Sequence, residues 1–331
     1  MARYFVTGAT GFLGAEISKQ LISRGHQVVA LIRSPGKASL LRALNVALHE
    51  GDITDRESLR APMADTDGVF HCAAWYKVGV EEPMAERVNV EGTRNVLETM
   101  RELGIPKGVY TSTVAVFSDT HGQVPDETYR YDGPHLSEYE RTKWRAHYEV
   151  ALPMMAAGLP LVIVMPGLVY GPGDTSGMHA ALVDLLRKRL PMTPRRTAFC
   201  WAHVEDTARG HIQAMEHGRP GETYIITGPR HTFEEAFDLV ARLAKVPRPL
   251  LHPGPRTMRA MAGLMSLVGR LTDLPPAFTP EALRVLAGAT YFGASDKAVR
   301  ELGFSARPLA EGMDQTLEHE LRALQRLRPP G

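Results

Sequence analysis

Near its amino terminus the chain reads Thr7-Gly8-Ala9-Thr10-Gly11-Phe12-Leu13-Gly14. This turn follows a short apolar strand over residues 3–7 and opens a segment over residues 12–24 with helical spacing of apolar residues. Gly8 permits a tight turn, Gly11 lets backbone N–H groups approach a pyrophosphate, and Gly14 lets helix and strand pack closely. The helix N-terminus adds partial positive charge and free amides for that anion. The turn predicts a dinucleotide-binding unit, with a purely structural glycine turn as the alternative.

Strand and helix signals alternate through the first half of the chain. Apolar strands are predicted at residues 26–33, 47–52, 68–74, 107–113 and 161–166, and long helices at 84–103 and 138–157. This alternation predicts an α/β fold with a doubly wound parallel sheet of the Rossmann type. Ligands bind such sheets at the carboxyl ends of the strands. The residues at that edge are Thr7, Arg33, Asp52, Ala73, Thr113 and Pro166.

Proline and glycine cluster after Gly171, and the helices between the clusters are less regular. We therefore predict a dinucleotide-binding domain over residues 1–170 and a smaller, mostly helical substrate domain over residues 171–331. Residues 200–228 are expected to return to the first domain. Residues 258–271 carry methionines and leucines at helical spacing, which predicts helix core or the wall of an apolar substrate pocket.

The overall composition argues against several classes of function. A formal net charge of +1 over 331 residues gives no basic field for nucleic acid. The two cysteines, Cys72 and Cys200, lie in no disulfide or metal-ligand spacing, so we expect no metal. The apolar stretches are too short for a membrane span, and the first residues leave no room for a signal peptide. We expect a cytoplasmic protein that acts on a small molecule.

The end of the second predicted strand bears on the choice of dinucleotide. An acidic residue there would bind the ribose 2′-hydroxyl, but this chain has Arg33, with Lys37 close behind. A guanidinium can direct two hydrogen bonds to a 2′-phosphate, which favours NADP(H) and leaves NAD(H) possible. The alternative is a solvated surface arginine. Asp52 is expected at the adenine, or as a cap for the turn that follows it.

Tyr139 and Lys143 are spaced to lie on one face of a helix. A nearby cation favours the phenolate, so we expect Lys143 to lower the pKa of Tyr139 toward the working pH. Thr111, Ser112 and Thr113 end the fifth strand, where one of their hydroxyls would share negative charge on a carbonyl oxygen. The alternatives are a chance spacing of tyrosine and lysine, and the ordinary preference of threonine for strands.

Taken together, these motifs resemble the extended short-chain dehydrogenase/reductases, which include NAD-dependent epimerase/dehydratases and dihydroflavonol-reductase-like enzymes. The resemblance spans nearly the whole chain. Its motifs are TGATGFLG (7–14), GDITD (51–55), HCAA (71–74), NVEGTRNVL (89–97), VYTSTVAVF (109–117), YERTK (139–143), PGLVYGPGD (166–174), WAHVEDTARGH (201–211) and KAVRELGF (297–304).

The resemblance implies a role for each matching position. Tyr139 would exchange a proton with the substrate oxygen, and Lys143 would bind the nicotinamide ribose. Thr113 would be the catalytic hydroxyl, with Ser112 as the fallback. The implied cofactor-binding set is Gly8, Thr10, Gly11, Phe12, Leu13, Gly14, Arg33, Lys37, Asp52, Ile53, Ala73, Ala74, Tyr139, Lys143, Pro166 and Val169. The family also implies a homodimer through the two long helices.

Two departures from the family pattern argue against the hypothesis of a nucleotide-sugar substrate. Sugar-nucleotide members usually carry an asparagine just after the proline, where this chain has Gly167 and Leu168, and an acid where it has Arg33. The leading hypothesis is an NADP(H)-dependent oxidoreductase of a ketone, aldehyde or secondary alcohol. The alternatives are an NAD-dependent nucleotide-sugar epimerase/dehydratase and a non-catalytic dinucleotide-binding sensor.

Five further side chains remain to be assigned either to the site or to the core. Trp75, Tyr76 and Lys77 follow the fourth strand, and either wall the substrate site or merely cover the sheet edge. His71 and His203 fall at strand ends, where a lone histidine is expected to be a satisfied core residue.

Overall fold

The structure, a computed structural model, describes residues 1–76, 83–269, 272, 274 and 276–326. Its main element is a parallel sheet of seven strands in the order β3-β2-β1-β4-β5-β6-β9. The predicted doubly wound α/β fold is therefore confirmed. The strands of the described residues are β1 (Arg3–Thr7), β2 (Gln27–Ile32), β3 (Ala47–Glu50), β4 (Gly68–His71), β5 (Gly108–Thr111), β6 (Leu161–Pro166), β7 (Leu168–Tyr170), β8 (Ala198–His203), β9 (Thr223–Ile226), β10 (Arg230–Thr232) and β11 (Thr290–Tyr291).

Helices cover both faces of this sheet. They are α1 (Phe12–Ser23), α2 (Ser39–Ala43), α3 (Glu57–Met63), α4 (Pro83–Glu86), α5 (Gly92–Glu102), α6 (Glu138–Arg145), α7 (Leu152–Ala156), α8 (Gly177–Leu186), α9 (Val204–His217), α10 (Phe233–Leu243), α11 (Pro255–Val268), α12 (Pro280–Val285), α13 (Asp296–Leu302) and α14 (Leu309–Arg326). Wide helical turns at Arg87–Glu91 and Ala146–Ala151 join α4 to α5 and α6 to α7. The chain is thus helical over 83–102 and 138–156, close to the two long helices predicted from the sequence.

The alternation of side chains along β1 divides the core between the two faces of the sheet. Phe5 packs in one apolar cluster with Leu59 and Met63 of α3, whereas Val6 packs in the other with Ile17 and Leu21 of α1. Burial on both faces explains why the strands read as continuous apolar runs rather than as alternating ones.

The second half of the chain contributes to both sheets. The strand β9 pairs in parallel with β6 and extends the large sheet, and α9 packs against α1. A smaller sheet, which the sequence did not predict, has β8 at its centre, with β10 antiparallel to it and β7 and β11 parallel. The domain boundary near residue 170 stays a prediction.

Within the described ranges, every helix is too short or too polar to span a lipid bilayer. The same ranges hold no group of three or more His, Cys, Asp or Glu side chains arranged to bind a metal ion. Cys72 and Cys200 are both free thiols.

Candidate active site

The glycine turn is held open by its backbone geometry. Gly8 has a φ of +71°, and a β-carbon there would lie 2.7 Å from the backbone nitrogen of Ala73. A β-carbon at Gly14 would clash with the carbonyl oxygen of Gly8. The Gly11 N–H donates to that carbonyl oxygen at 2.9 Å and closes the turn. Only glycine adopts the positive φ at Gly8 without strain, and only glycine has no β-carbon to clash at Gly8 and Gly14.

The start of α1 fits the pyrophosphate of a dinucleotide. Gly11 is its N-cap residue, and no side chain caps the first amides of the helix. Thr10 and Gly11 are exposed, while Phe12 and Leu13 are half-buried. Free N–H groups and the positive end of the helix dipole are what a phosphate anion requires.

Arg33 and Asp52 face one another at the neighbouring strand ends. The guanidinium Nη1 lies 3.8 Å from Oδ2 of Asp52, and the Arg33 side chain is 68% exposed. Lys37 is exposed in the short turn Pro35–Lys37. Oδ1 of Asp52 accepts a hydrogen bond from Thr54 N at 2.9 Å, which is the capping interaction considered above. The side chain of Ile53 is buried against Gly92, so only its backbone is available to a ligand at this edge.

Thr113 and Tyr139 meet at the end of β5. The Thr113 hydroxyl lies close enough to the Tyr139 phenol to oppose the rise of its pKa, and it accepts from Ala115 N at 3.1 Å. Ser112, the fallback, turns the other way, because its Oγ lies 2.8 Å from Nδ1 of the buried His147. The geometry therefore brings Thr113, and not Ser112, to the tyrosine. Ser137 caps α6 by accepting from Glu140 N at 3.2 Å, which fixes the start of the helix that carries Tyr139.

Lys143 is buried, and its ammonium points into the end of the sheet. It donates to the carbonyl oxygen of Thr111 at 2.7 Å and to the Tyr110 hydroxyl at 3.1 Å. Burial lowers the pKa of Lys143 to about 7. Burial also raises the pKa of Tyr139 to about 12, although the nearby Thr113 hydroxyl opposes this rise. The predicted lowering of the tyrosine pKa by Lys143 is wrong in this arrangement, because the ammonium bonds elsewhere and the phenol is desolvated.

The residues after β4 form the wall between the glycine turn and α6. Ala73 N donates to Thr7 Oγ1 at 3.2 Å, and Ala74 is half-buried beside it. Trp75 belongs to the core, whereas Tyr76 is exposed and close enough to Tyr139 to raise its pKa. The predicted Lys77 lies outside the described residues.

Asn89, which sequence reasoning did not single out, fixes this wall. Its side chain accepts from Trp75 N at 2.8 Å and donates to Trp75 O at 2.9 Å and to Thr142 Oγ1 at 2.9 Å. Pro166 is buried at the end of β6, and Val169 is half-buried in β7, where it pairs with Ala202.

Two more residues of the site escaped sequence reasoning, Tyr110 and Thr93. Tyr110 is fully buried within β5 and accepts from Lys143, and the Thr93 hydroxyl lies close enough to lower the pKa of its phenol. The signal for Tyr110 was the tyrosine itself, because a buried phenol in an otherwise apolar strand needs a hydrogen-bond partner. His203 is a core residue, as expected, with 1% of it exposed, but it is only half satisfied: Nδ1 accepts from Glu205 N at 3.4 Å, whereas Nε2 has no hydrogen-bond partner among the described residues.

A cavity of about 440 Å³ lies beside α11. Its wall includes Leu136, which precedes the helix of Tyr139 by two residues. The predicted helix over residues 258–271 is observed as α11 up to Val268, and residues 270 and 271 lie outside the described residues. The helix walls a pocket through small and polar side chains. Met258 and Ala262 also pack on Leu283 and Ala287 as a separate apolar cluster. The lining residues are Asp119, Leu136, Arg259, Ala262, Gly263, Ser266, Arg284, Ala287 and Ala289.

The fold and the site define a dinucleotide-binding α/β protein with a Thr–Tyr–Lys arrangement at the carboxyl edge of its sheet. The sequence profile of the NAD dependent epimerase/dehydratase family matches residues 4–227. The chain belongs to this family. It is an NAD(P)-dependent oxidoreductase of the extended short-chain dehydrogenase/reductase type.

Individual relatives agree over nearly the full length. Sterol demethylase protein B of Methylococcus capsulatus is 31% identical over 90% of this chain and 92% of its own. The 4-hydroxy-2-methyl-3-oxo-4-farnesyl-3,4-dihydroquinoline-1-oxide ketoreductase of Stigmatella aurantiaca is 31% identical over 99% of this chain and 97% of its own. The solved structure of gox2253 has a TM-score of 0.85 at 30% identity and covers 99% of this chain and 100% of its own.

Proposed function

We propose that this protein is an NADP(H)-dependent carbonyl reductase, which in reverse oxidises the corresponding secondary alcohol. The observation that carries the proposal is that one helix, α6, holds both Tyr139 and the buried Lys143, with the Thr113 hydroxyl close to the tyrosine phenol. The ketoreductase among the relatives supports the same class of reaction. An intact trio of these side chains also argues against a sensor that has lost catalysis.

Each residue of the trio has a distinct task. When bound, the nicotinamide cofactor supplies the hydride for reduction or takes it up in the reverse direction. The Tyr139 phenol gives its proton to the substrate oxygen, and a pKa near 12 keeps that proton in place at neutral pH. The Thr113 hydroxyl, close to the phenol, shares negative charge as it develops on the substrate oxygen. The Lys143 ammonium would bind the nicotinamide ribose when the cofactor is present.

The preference for NADP(H) rests on Arg33. An ion pair at 3.8 Å with a side chain 68% exposed is weak, so Asp52 leaves the guanidinium available to a 2′-phosphate. Lys37 adds a second exposed cation, which forms no ion pair with a described residue. A phosphate between these cations would be bound through charge-assisted hydrogen bonds.

For the substrate, we propose an apolar body that carries an acidic group and occupies the cavity beside α11. Small side chains line much of this cavity, and they leave room for a flat apolar body. Arg259 and Arg284 are exposed and form no ion pair with a described residue, so they suit an anionic group. Asp119 is the acidic lining residue, and its Oδ1 already accepts from Thr290 N at 2.9 Å.

The geometry at Gly167 weighs against the nucleotide-sugar alternative. A β-carbon there would clash with the carbonyl oxygen of Cys200 in β8. The asparagine that sugar-nucleotide members carry after the proline therefore does not fit in this chain without a shift of β8. This steric limit agrees with the departures noted in the sequence.

The first experiment identifies the nucleotide released when purified protein is denatured by heat. Empty protein or substoichiometric NADP, followed by NADPH oxidation with ketones or aldehydes, is the expected result. Near-stoichiometric NAD would indicate a cofactor recycled in place and would overturn the proposal in favour of an epimerase or dehydratase.

The proposed homodimer would use the helices over residues 83–102 and 138–156. Within one chain these helices are already joined, since Glu86 accepts from Arg141 at 3.0 Å. Light scattering coupled to gel filtration would give the mass in solution. The cytoplasmic location stays a prediction.

A further inference from the structure

A chain of buried polar side chains runs from Lys143 into the centre of the large sheet. Nζ of Lys143 lies 3.1 Å from the hydroxyl of Tyr110, and the hydroxyl of Thr93 lies close enough to this phenol to lower its pKa. Oγ1 of Thr93 lies 3.0 Å from Nε2 of His71, and Nδ1 of the same ring lies 2.7 Å from Oγ1 of Thr7. The five side chains come from β1, β4, α5, β5 and α6, and each is at most 2% exposed.

The protons on the hydrogen bonds of this chain can be assigned consistently. Because Lys143 only donates, the Tyr110 hydroxyl accepts from it. With Thr93 donating to Nε2 of His71, Nδ1–H of His71 donates to Thr7, whose oxygen also accepts from Ala73 N at 3.2 Å. Hydrogen-bond partners of this kind make buried polar side chains tolerable in a core.

Tyr110 is the central member of this chain. Its ring stacks on His71, with centroids 5.4 Å apart, and the Lys143 ammonium lies 4.7 Å from the centre of its ring. A phenylalanine would fill the same space in β5. The hydroxyl is therefore not required for packing, and its contacts are to the lysine and to Thr93.

We propose that Tyr110, Thr93 and His71 are positioning residues that fix the Lys143 ammonium and connect it, through Thr7, to the glycine turn. Thr7 directly precedes Gly8 and binds the amide of Ala73, against which Gly8 is packed. The inference rests on the proposed function for the role of Lys143, but it concerns residues that this function does not include.

Every titratable group that faces Lys143 is neutral near pH 7. Burial lowers the pKa of both His71 and His147 to about 3, and it raises the pKa of Cys72 to about 11. Tyr110 and Tyr139 keep their protons because burial raises the pKa of each phenol. The lysine is thus the one charge among these described neighbours, and the Tyr110 hydroxyl stabilises its charged form. Removal of that hydroxyl is expected to lower the pKa of Lys143 further.

The direct test measures this pKa by NMR in protein with ¹³C-labelled lysine, with Lys143→Met to assign the resonance. Tyr110→Phe should move the Lys143 titration about one pH unit lower, because an acceptor for the charged form is lost. The matched control is Tyr224→Phe, since Tyr224 is also fully buried beneath a lysine, with Lys297 Nζ 4.7 Å from its ring. This control should leave the Lys143 titration in place.

A second pair of variants breaks the chain one link further on. Thr93→Val removes the hydroxyl and should lower the Lys143 pKa in the same direction, and Thr93→Ser should restore it. With a ketone and NADPH, Tyr110→Phe should reduce kcat about tenfold, leave KM within about twofold and shift the alkaline limb of the pH profile lower.

An unchanged Lys143 pKa in both Tyr110→Phe and Thr93→Val would overturn the inference, as would an equal shift in Tyr224→Phe. The NMR readout needs no substrate. A protein that reduces no carbonyl compound but shows the expected shifts would refute the proposed function and leave the positioning role standing.

Discussion

The carboxyl edge of the large sheet and the cavity beside α11 are built in opposite ways. Around Lys143, at the sheet edge, the polar groups are buried and come from separate elements, as with Lys143 and the carbonyl oxygen of Thr111. The cavity is lined by small side chains and by exposed arginines that form no ion pair with a described residue. Reaction chemistry needs groups held in a fixed geometry before the substrate arrives, whereas binding of a substrate body tolerates a looser wall.

This contrast suggests where substitutions will act. Changes at the sheet edge should affect turnover and stability strongly, because they disturb desolvated groups. Changes in the cavity should affect only the affinity for certain substrates, since exposed charges contribute little in water. The predictions below test the contrast from its strongest consequence to its weakest.

Tyr139→Phe should lower kcat by about 10²–10⁴-fold, which is the usual contribution of a general acid. Affinity for NADPH, measured by fluorescence titration, should change less than about threefold. Tyr148→Phe is the matched control, because that hydroxyl bonds only to the carbonyl oxygen of Tyr129, at 3.1 Å. Full activity in Tyr139→Phe would remove the tyrosine from proton transfer.

Lys143→Met should abolish activity and yet stabilise the fold at neutral pH. The folded-state pKa is about 7 against an ordinary 10.5, so at or below pH 7 a charged lysine is held in a desolvated site. This buried charge lowers the free energy of unfolding by an amount on the order of a few kcal/mol. Between pH 7 and 10.5 the folded lysine loses its proton before the unfolded one does, so the stability of the wild type rises and the advantage of the variant shrinks. Urea unfolding at pH 6.5 and at pH 10 measures the difference, and a gain that is the same at both would contradict it.

Arg33→Ala should weaken NADPH binding roughly 10–100-fold, which corresponds to the loss of hydrogen bonds to a charged group. NADH binding should stay within about threefold. Arg42→Ala, an exposed arginine on α2, controls for a general loss of positive charge. Equal weakening of both nucleotides would rule out a 2′-phosphate contact.

Arg259→Gln and Arg284→Gln should each raise KM only about two- to fivefold, as expected for an exposed charge. The increase should appear for a keto acid and not for its methyl ester. Arg256→Gln is the control, because Arg256 is an exposed residue of the same helix that does not line the cavity. An equal effect on acid and ester would show that the cavity does not bind the anionic group.

Sequence reasoning located the parts of the site that are encoded locally. The glycine turn and the Tyr139–Lys143 spacing are short motifs, and β1 and β6 were predicted with their observed bounds because each is a compact apolar run. A strand ending at His203 was expected and is β8, but β10 and β11 of the small sheet were missed, since they have only 3 and 2 residues and show no period. The helix α3 was also missed, as it is short and contains Pro62.

The environment of Lys143 was beyond sequence reasoning for a different reason. Spacing along α6 places Tyr139 and Lys143 on one face, but it does not show that the ammonium turns toward Thr111 and Tyr110. The pKa of the tyrosine depends on burial and on Thr113, and both come from contacts between distant segments. Ser112 and Thr113 were equivalent in the sequence and are separated only by the twist of the chain after β5.

The polar chain beneath Lys143 also bears on how a newly made molecule matures. Its hydrogen bonds join residues that are 64, 22 and 33 positions apart in the sequence, so none of them forms within a single hairpin or helix. Contacts of such separation form late, after the intervening segments have been brought together. A nascent chain that has not yet docked α6 leaves the hydroxyl groups beneath it incompletely partnered. The glycine turn and the buried lysine are therefore expected to reach their final geometry at the same stage of folding. A partly folded molecule would then have no partly active site.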